Sequence, residues 1–253
     1  MKQFIIHRIS NLLRFPVVGL DISDRSLKFL KLAINKTIEF EAFGETEIPE
    51  GVIIEGEIKN ENALTDVLKK WKQENARHLH SSVIVASLPE EKSFVRLIQL
   101  PKVKPEEVAN AIRWEIEANI PLPPDNLAYD YEVAESSAGA LNHTDAVVTA
   151  FPRFIVESYT TAVKSAGLTL AALELESQAI ARAVADSSRP NTARIIIDIG
   201  RTRTSIIICA GRAIIFTSTI QLGGNTFEDN ISRALKVNRA RAKEIKETMG
   251  LNR

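Results

Sequence analysis

The sequence has 253 residues, 45% of them hydrophobic, and its 32 lysines and arginines balance its 32 aspartates and glutamates. This composition predicts a folded protein of one large or two ordinary domains, and the balanced charge excludes a global positive field for nucleic acid. A single cysteine, Cys209, excludes an internal disulfide bond, and no apolar run approaches the ~20 residues that a membrane-spanning helix needs.

Residues 1–16 have the pattern of a short amphipathic helix. Basic residues lie largely outside its apolar stripe, which consists of Phe4, Ile5, Ile9, Leu12 and Leu13. Such a helix can rest on an anionic membrane or pack on its own domain. We favour packing, because helices this short are marginal alone and gain most of their stability from tertiary contacts.

The rest of the chain alternates between strand and helix patterns. Hydrophobic periodicity and turn residues predict strands at 17–23, 27–33, 37–46, 83–88, 93–100, 129–135, 145–150, 168–175, 194–198, 205–210 and 213–220. The same signals predict helices at 62–71, 105–119, 153–165, 176–186, 225–235 and 239–249. Turns are predicted at Asn35-Lys36 and Gly211-Arg212, and a small-residue loop at 136–143.

Two segments share one pattern, in which a strand ends in an aspartate before a polar turn and a second strand. The first is residues 19–28, with Asp21, and the second is residues 198–205, which begins with Asp198. Inward-facing turn amides form a nest for phosphate oxygens, and a strand-end aspartate can hold Mg²⁺ through its waters. Each aspartate can instead simply cap its own turn. The occurrence of the pattern twice favours a nucleotide clamp.

These two segments resemble the phosphate 1 and phosphate 2 motifs of the actin-like ATPase superfamily. The middle of the chain resembles a longer signature, that of the PilM family of type IV pilus assembly proteins. Its parts are Leu100-Pro101, Glu106-Glu107, Ala111-Ile112-Arg113-Trp114-Glu115-Ile116-Glu117, Ile120-Pro121-Leu122 and Tyr129-Asp130-Tyr131. The segments Ala166-Gly167-Leu168 and 174–182 follow in family order, and the resemblance runs from about Val17 to the end of the chain.

The resemblance implies an α/β, actin-like (ribonuclease H-like) fold with two lobes and an inserted α+β subdomain. We expect an N-terminal segment at 1–16, the first part of the first lobe at 17–81, the insert at 82–167, a return helix at 168–187 and the second lobe at 188–253. Similar proteins continue beyond the position of Arg253 with more strands and a glycine-rich adenosine loop. We therefore expect the C-terminal part of the fold to be truncated here.

The resemblance also implies a site for ATP and Mg²⁺. Asp21 and Asp198 should flank the metal ion, and Lys28 should reach the phosphates. Ser23 stands where the family usually has glycine, and Lys243 stands where it has an acid near the ribose. The full set of implied nucleotide-binding residues is Asp21, Ser23, Asp24, Arg25, Ser26, Lys28, Asp198, Gly200, Arg201, Thr202, Gly223, Gly224, Lys243 and Lys246.

The implied function is that of a cytoplasmic ATP-binding scaffold at the inner face of the inner membrane. Its partners would be the cytoplasmic tail of a PilN-like protein and other pilus assembly proteins, with possible self-association and with membrane contact only through the partner. No nucleic acid is expected. The signature helix, with Trp114, is a candidate partner surface. Glu174 and Glu176 fall at family acid positions, but we expect ATP hydrolysis to be slow at most. The alternatives are an FtsA-like cell-division membrane anchor and a metabolic kinase of the same superfamily.

Overall fold

The computed structural model describes residues 17–34, 38–79, 81–101, 103–133, 143–184, 192–210 and 213–250. These residues form two compact units. The first contains the described residues up to Lys92 together with Pro152–Glu176, and the second contains Ser93–Phe151 and the described residues from Ser177 onward. The predicted segment 1–16 and the predicted turns at Asn35-Lys36 and Gly211-Arg212 lie outside the described residues, as does the predicted loop except for His143.

The strands follow in chain order, with bounds close to the predicted ones. They are β1 (Val18–Ile22), β2 (Ser26–Ile34), β3 (Ile38–Glu47), β4 (Ile53–Ile54), β5 (Glu57–Ile58), β6 (Val83–Leu88), β7 (Phe94–Pro101), β8 (Leu127–Val133), β9 (His143–Pro152), β10 (Thr169–Leu175), β11 (Ala193–Ile199), β12 (Thr204–Ala210) and β13 (Ala213–Ile220). The short hairpin of β4 and β5 was not predicted.

The helices also agree with the sequence patterns. They are α1 (Glu61–Leu79), α2 (Val108–Asn119), α3 (Arg153–Ser165), α4 (Glu176–Val184), α5 (Gly224–Leu235) and α6 (Arg239–Thr248). The predicted proline start of α2 is a single 3₁₀ turn, Pro105–Glu107, which leads into the helix. Asn60 caps α1 by accepting a hydrogen bond from the Ala63 amide at 3.0 Å. In the described residues, no helix is both long and apolar enough to span a lipid bilayer.

The first unit is built on a five-stranded sheet with the order β10-β6-β1-β2-β3. β1 pairs antiparallel with β2 and parallel with β6, which also pairs parallel with β10. Phe29, the cross-strand neighbour of Leu20, contacts Trp71 of α1 edge-on, with ring centroids 5.5 Å apart. This face of the sheet therefore packs against α1, whose Leu64, Leu68 and Trp71 are fully buried.

The second unit contains two three-stranded sheets, β7-β9-β8 and β11-β12-β13. The first of these packs with α2 around a compact apolar cluster, whose central members include Leu100, Ile112, Ile116, Leu127 and Val148. This part of the second unit runs from Ser93 to Phe151, whereas the insert that we expect from the resemblance runs from 82 to 167. The difference arises because β6 belongs to the sheet of the first unit and α3 contacts α1 and β10 of the same unit.

Candidate functional site

The first loop closes the hairpin of β1 and β2. Asp21 lies opposite Lys28 in the strand register. One Asp21 carboxylate oxygen, Oδ1, accepts a hydrogen bond from the Ser87 hydroxyl at 3.0 Å, and Oδ2 lies 3.9 Å from the Lys28 ammonium nitrogen. Both side chains remain partly open to solvent, at 38% for Asp21 and 56% for Lys28. The aspartate is thus fixed by a hydroxyl from β6 while keeping carboxylate oxygen available.

Ser23 and Ser26 tighten the turn of this loop. The Ser23 amide donates to the Ser26 carbonyl at 2.9 Å, and the Ser23 hydroxyl lies 3.1 Å from the same carbonyl. Within the described part of the chain, only Glu55 and Lys236 among the non-glycine residues have positive φ. Ser23 therefore occupies its position without the backbone strain that a glycine-only conformation would impose on a serine.

Asp24 and Arg25 have partners that hold the loop in place. The Asp24 carboxylate accepts hydrogen bonds from the amides of Glu55 at 3.1 Å and Gly56 at 3.0 Å, in the turn between β4 and β5. The Arg25 guanidinium lies 2.9 Å from a carboxylate oxygen of Glu50. Asp24 thus connects the loop to the unpredicted hairpin, and Arg25 connects it to Glu50 in the turn that precedes β4. Both residues therefore have a structural role.

The second loop repeats this arrangement between β11 and β12. Asp198, at the penultimate position of β11, lies opposite Ser205 and is partly exposed. The Gly200 amide donates to the Arg203 carbonyl at 2.8 Å, which closes the turn. The Thr204 hydroxyl donates to the Leu222 carbonyl at 2.6 Å and so connects this turn to the segment that precedes α5.

Gly223 and Gly224 join the start of α5 to the second loop. A Cβ atom on Gly223 would stand 2.6 Å from the Arg203 amide nitrogen, so only glycine fits this approach. The Gly224 amide donates to the Gly200 carbonyl at 2.9 Å, and the Asn225 amide donates to the Arg201 carbonyl at 2.8 Å. These two amides, which a helix start could offer to an anion, are used to hold the loop.

A charged cluster lies beside this glycine pair. Glu228 of α5 is buried, and its carboxylate lies 2.6 Å from the Lys246 ammonium and 3.6 Å from the Arg239 guanidinium. Burial favours a higher pKa for Glu228, but the hydrogen bonds and positive charges of Lys246 and Arg239 outweigh it and lower the pKa below its ordinary 4.5. Lys243, in contrast, is exposed and lies 3.8 Å from Glu247 on the same helix.

The structure thus brings the predicted residues together in two groups, one in each unit. Asp21, Ser23, Ser26 and Lys28 share the end of one hairpin, and Gly200, Arg201, Gly223, Gly224 and Lys246 surround the start of α5. Sequence analysis missed Ser87 and Glu228. The sequence features that could have indicated them are the position of Ser87 in β6, the strand that pairs with β1, and the position of Glu228 about one helical turn after Gly223-Gly224. In the described residues no cluster of three or more potential metal ligands occurs.

The signature helix α2 has two different faces. Ile112 and Ile116 are buried, whereas Trp114 is 74% exposed. The Arg113 guanidinium donates to Asp125 at 3.1 Å, and the amide of Asn119 donates to the Glu115 carboxylate at 3.0 Å. Glu115 and Glu117 have different neighbours and do not form an acid–base pair. An exposed tryptophan among fixed polar side chains is suited to binding a protein partner.

Comparison with known proteins shows which family shares these features. The family model of the type IV pilus assembly protein PilM matches residues 19–253. Among solved structures, a chain of a PilM-PilN type IV pilus biogenesis complex matches with a TM-score of 0.78 and 23% identity, covering 94% of this chain and 70% of that chain.

Two more distant structures have the same fold. The ethanolamine utilization protein EutJ from Carboxydothermus hydrogenoformans matches with a TM-score of 0.54 and 16% identity, over 92% of this chain and 61% of that chain. MreB5 of Spiroplasma citri bound to ADP matches with a TM-score of 0.52 and 14% identity, over 92% of this chain and 62% of that chain. The predicted actin-like α/β fold is confirmed by these likenesses.

Proposed function

The chain belongs to the PilM family of type IV pilus assembly proteins, and on this premise we propose that it is an ATP-binding scaffold that binds a PilN-like partner. Family membership favours this role over the cell-division anchor and the metabolic kinase. Nucleotide in its site would set the arrangement of the partner-binding surface, since a ligand shifts a conformational equilibrium by its differential affinity for the states.

The observation that carries the nucleotide proposal is the repeated hairpin with an aspartate at the same place. Asp21 and Asp198 each end an apolar strand, and each is followed by a tight turn closed by a backbone hydrogen bond. The likeness to an ADP-bound MreB5 supports a nucleotide ligand for this fold. We propose that Asp21, Ser23, Ser26, Lys28, Asp198, Gly200, Arg201 and Thr202 contact the phosphates and their metal ion.

The donor set fits Mg²⁺. This ion keeps several waters and takes one or two carboxylates together with substrate phosphates, so the aspartate of each loop is a suitable ligand. Bound Mg²⁺ would neutralise phosphate charge. Of the remaining candidates, Asp24 and Arg25 fix the first loop through Gly56 and Glu50, and Gly223 and Gly224 fix the second. Lys243 and Lys246 stay candidates for the adenosine end.

The partner proposal comes from the family and from the exposed surface of α2. A PilM-PilN complex is among the structures with this fold, and an exposed aromatic side chain such as Trp114 is a typical binding anchor. We propose that the chain works at the cytoplasmic face of the inner membrane, held there by the tail of a PilN-like protein. Other pilus assembly proteins would bind its remaining surfaces.

Nucleotide binding is tested by titrating the protein with ATP in the presence and absence of Mg²⁺ in a calorimeter. We expect magnesium-dependent binding that Asp21→Asn and Asp198→Asn each weaken. Asp66→Asn is the matched control, because Asp66 is exposed on α1 and belongs to neither loop. Absence of binding by the folded protein, or affinities in both loop variants equal to the control, would contradict the site.

The partner is tested separately with a labelled peptide that copies the cytoplasmic tail of a PilN-like protein. We expect an increase in fluorescence anisotropy that Trp114→Ala reduces, while Phe154→Ala, at an exposed aromatic of α3, has no effect. A folded, nucleotide-loaded protein that does not bind the tail would contradict the pilus role. An effect of Phe154→Ala equal to that of Trp114→Ala would contradict the assignment to α2.

A further inference from the structure

The short hairpin of β4 and β5 contacts three separate segments of the first unit through one turn, Glu55-Gly56. Both amides of this turn donate to the carboxylate of Asp24 in the first loop, at 3.1 and 3.0 Å. Gly56 also lies against Pro89, and its carbonyl accepts a hydrogen bond from the Tyr159 hydroxyl at 3.2 Å. The turn therefore joins the first loop to two segments that are distant from it in the sequence.

These two segments connect the first unit to the part of the chain that holds α2. The chain leaves the first unit after Lys92 and returns to it at Pro152. Pro89 is three residues before the exit, and Tyr159 is in α3, which begins directly after the return. The hairpin itself lies wholly within the first unit. It thus contacts the outgoing connection, the returning connection and the first loop at the same time.

The contacts of Gly56 leave no room for another atom. Gly56 has a φ of +73°, and a Cβ atom added to it would stand 2.5 Å from Cγ of Pro89. Tyr159, which donates to the Gly56 carbonyl, is fully buried. Close-packed groups transmit a shift to their neighbours, because packed interiors have low compressibility. A movement of the turn would therefore displace Pro89 or break the hydrogen bond of Tyr159.

The turn is held in a conformation that its sequence does not favour. Glu55 has a φ of +50°, in the left-handed region, which is unfavourable for a residue with a Cβ atom. Such a residue persists where the surrounding contacts over-determine it, and the hydrogen bonds from both turn amides to Asp24 supply this constraint. Asp24 directly follows Ser23, one of the proposed phosphate contacts. A shift of the first loop on nucleotide binding would carry Asp24 with it and let Glu55 relax toward a negative φ.

We propose that the hairpin of β4 and β5 couples nucleotide binding at the first loop to partner binding at α2. A shift of Asp24 releases the Glu55-Gly56 turn, and the turn passes the change to Pro89 and Tyr159 at the two connections. This inference rests on the proposed function and identifies the element that links its two ligands. Because a coupling free energy is reciprocal, the partner must change the affinity for nucleotide by the same factor.

The test measures the affinity of the 253-residue chain for the labelled tail peptide with and without ATP and Mg²⁺, and for ATP with and without the peptide. We expect each ligand to change the dissociation constant of the other by the same factor, about fivefold or more. Glu55→Pro should abolish this coupling, because proline has no amide hydrogen for Asp24 and holds φ at about −65°. Glu55→Gly is the matched control. It keeps the amide and favours a positive φ, so it should keep the coupling.

Tyr159→Phe gives a second measure, because it removes only the hydroxyl that reaches Gly56. It should reduce the coupling factor by about twofold or more. Thr160→Val is its control, since the Thr160 hydroxyl donates to the Val156 carbonyl within α3, and this variant should leave the coupling unchanged. Circular dichroism checks that each variant is folded.

Different results would contradict the coupling and the proposed function. A wild-type chain that fails to bind ATP or the peptide would contradict the proposed function, and the coupling with it. Binding of both ligands, each with an affinity independent of the other, would overturn the coupling alone. Coupling that persists in both Glu55→Pro and Tyr159→Phe would overturn the role of the hairpin. An equal loss of coupling in Glu55→Gly and Glu55→Pro would overturn the role assigned to the turn conformation.

Discussion

The two hairpins built on β1 and β11 follow the same plan but have different surroundings. Each strand has large apolar residues at alternate positions around its aspartate, Val18, Leu20 and Ile22 in β1 and Ile195, Ile197 and Ile199 in β11. Each continues into an antiparallel partner in regular register. The apolar side chains of β1 lie on the sheet face that packs against α1 and are buried there, whereas the isoleucines of β11 are mostly exposed. The comparison shows that a local pattern determines the hairpin and the position of its aspartate, but not how much free energy its apolar residues contribute.

The largest expected effect is therefore a difference in the free energy of unfolding between alanine variants at two corresponding positions, Leu20 of β1 and Ile197 of β11. Leu20→Ala removes a buried side chain and leaves a cavity, so it should lower the free energy of unfolding by about 2–5 kcal/mol. Ile197→Ala truncates a side chain that is 60% exposed, and should cost less than about 1 kcal/mol. Chemical denaturation of dilute protein measures both. Equal losses would show that the face of β11 is covered in solution.

The next largest effect is a difference between alanine variants at two neighbouring glycines of the second unit, Gly223 and Gly224. A Cβ on Gly223 would meet the backbone of the second loop at 2.6–2.8 Å, so Gly223→Ala should cost about 1–3 kcal/mol and weaken ATP binding by displacing the loop. A Cβ on Gly224 would approach the end of the flexible Lys246 side chain at 3.2 Å. Gly224→Ala is therefore the matched control and should be tolerated. A Gly223→Ala protein with unchanged stability and affinity would contradict the close approach that the loop makes to α5.

A smaller effect concerns Glu228, a buried acid of the second unit. The lowered pKa of Glu228 means that its ion pairs stabilise the fold above the ordinary carboxylate pKa of 4.5, and that this contribution is lost as the pH falls through the lowered pKa. Glu228→Gln should cost about 1–3 kcal/mol at neutral pH, since it removes charge-assisted hydrogen bonds. The difference in melting temperature between wild type and variant should shrink in acid. A difference that is independent of pH would contradict the ionised state of Glu228.

Sequence reasoning predicted most of the fold, because the patterns in these segments are local. The strand–aspartate–turn–strand units, the proline start before α2 and the core positions of α1 all follow from periodicity and turn chemistry. The family resemblance supplied the actin-like topology, which periodicity alone does not determine.

What the sequence did not predict depends on contacts between distant residues. The pairing of β6 with β1 and β10 is a long-range parallel contact. The hairpin of β4 and β5 has only two residues in each strand, which is too short for a periodic signal. It nevertheless holds Asp24 through the amides of Glu55 and Gly56, and so anchors the first loop. In the same way, Glu228 is an ordinary helix acid in the sequence and gains its role only from Lys246 and Arg239.

The smallest expected effect is on turnover. Phosphoryl transfer needs a residue that orients the attacking water in addition to charge neutralisation. Glu174 is in β10 and Glu176 begins α4. The family resemblance implies that both fall at acid positions and that Lys243 stands in place of an acid near the ribose. Loose positioning of the nucleotide lowers the rate steeply. We therefore expect multiple-turnover phosphate release slower than about 1 s⁻¹, the low end of typical enzymes. Glu176→Ala should then leave both this rate and ATP affinity almost unchanged. Faster release that Glu176→Ala abolishes would show that the two hairpins serve an enzyme and not only a scaffold.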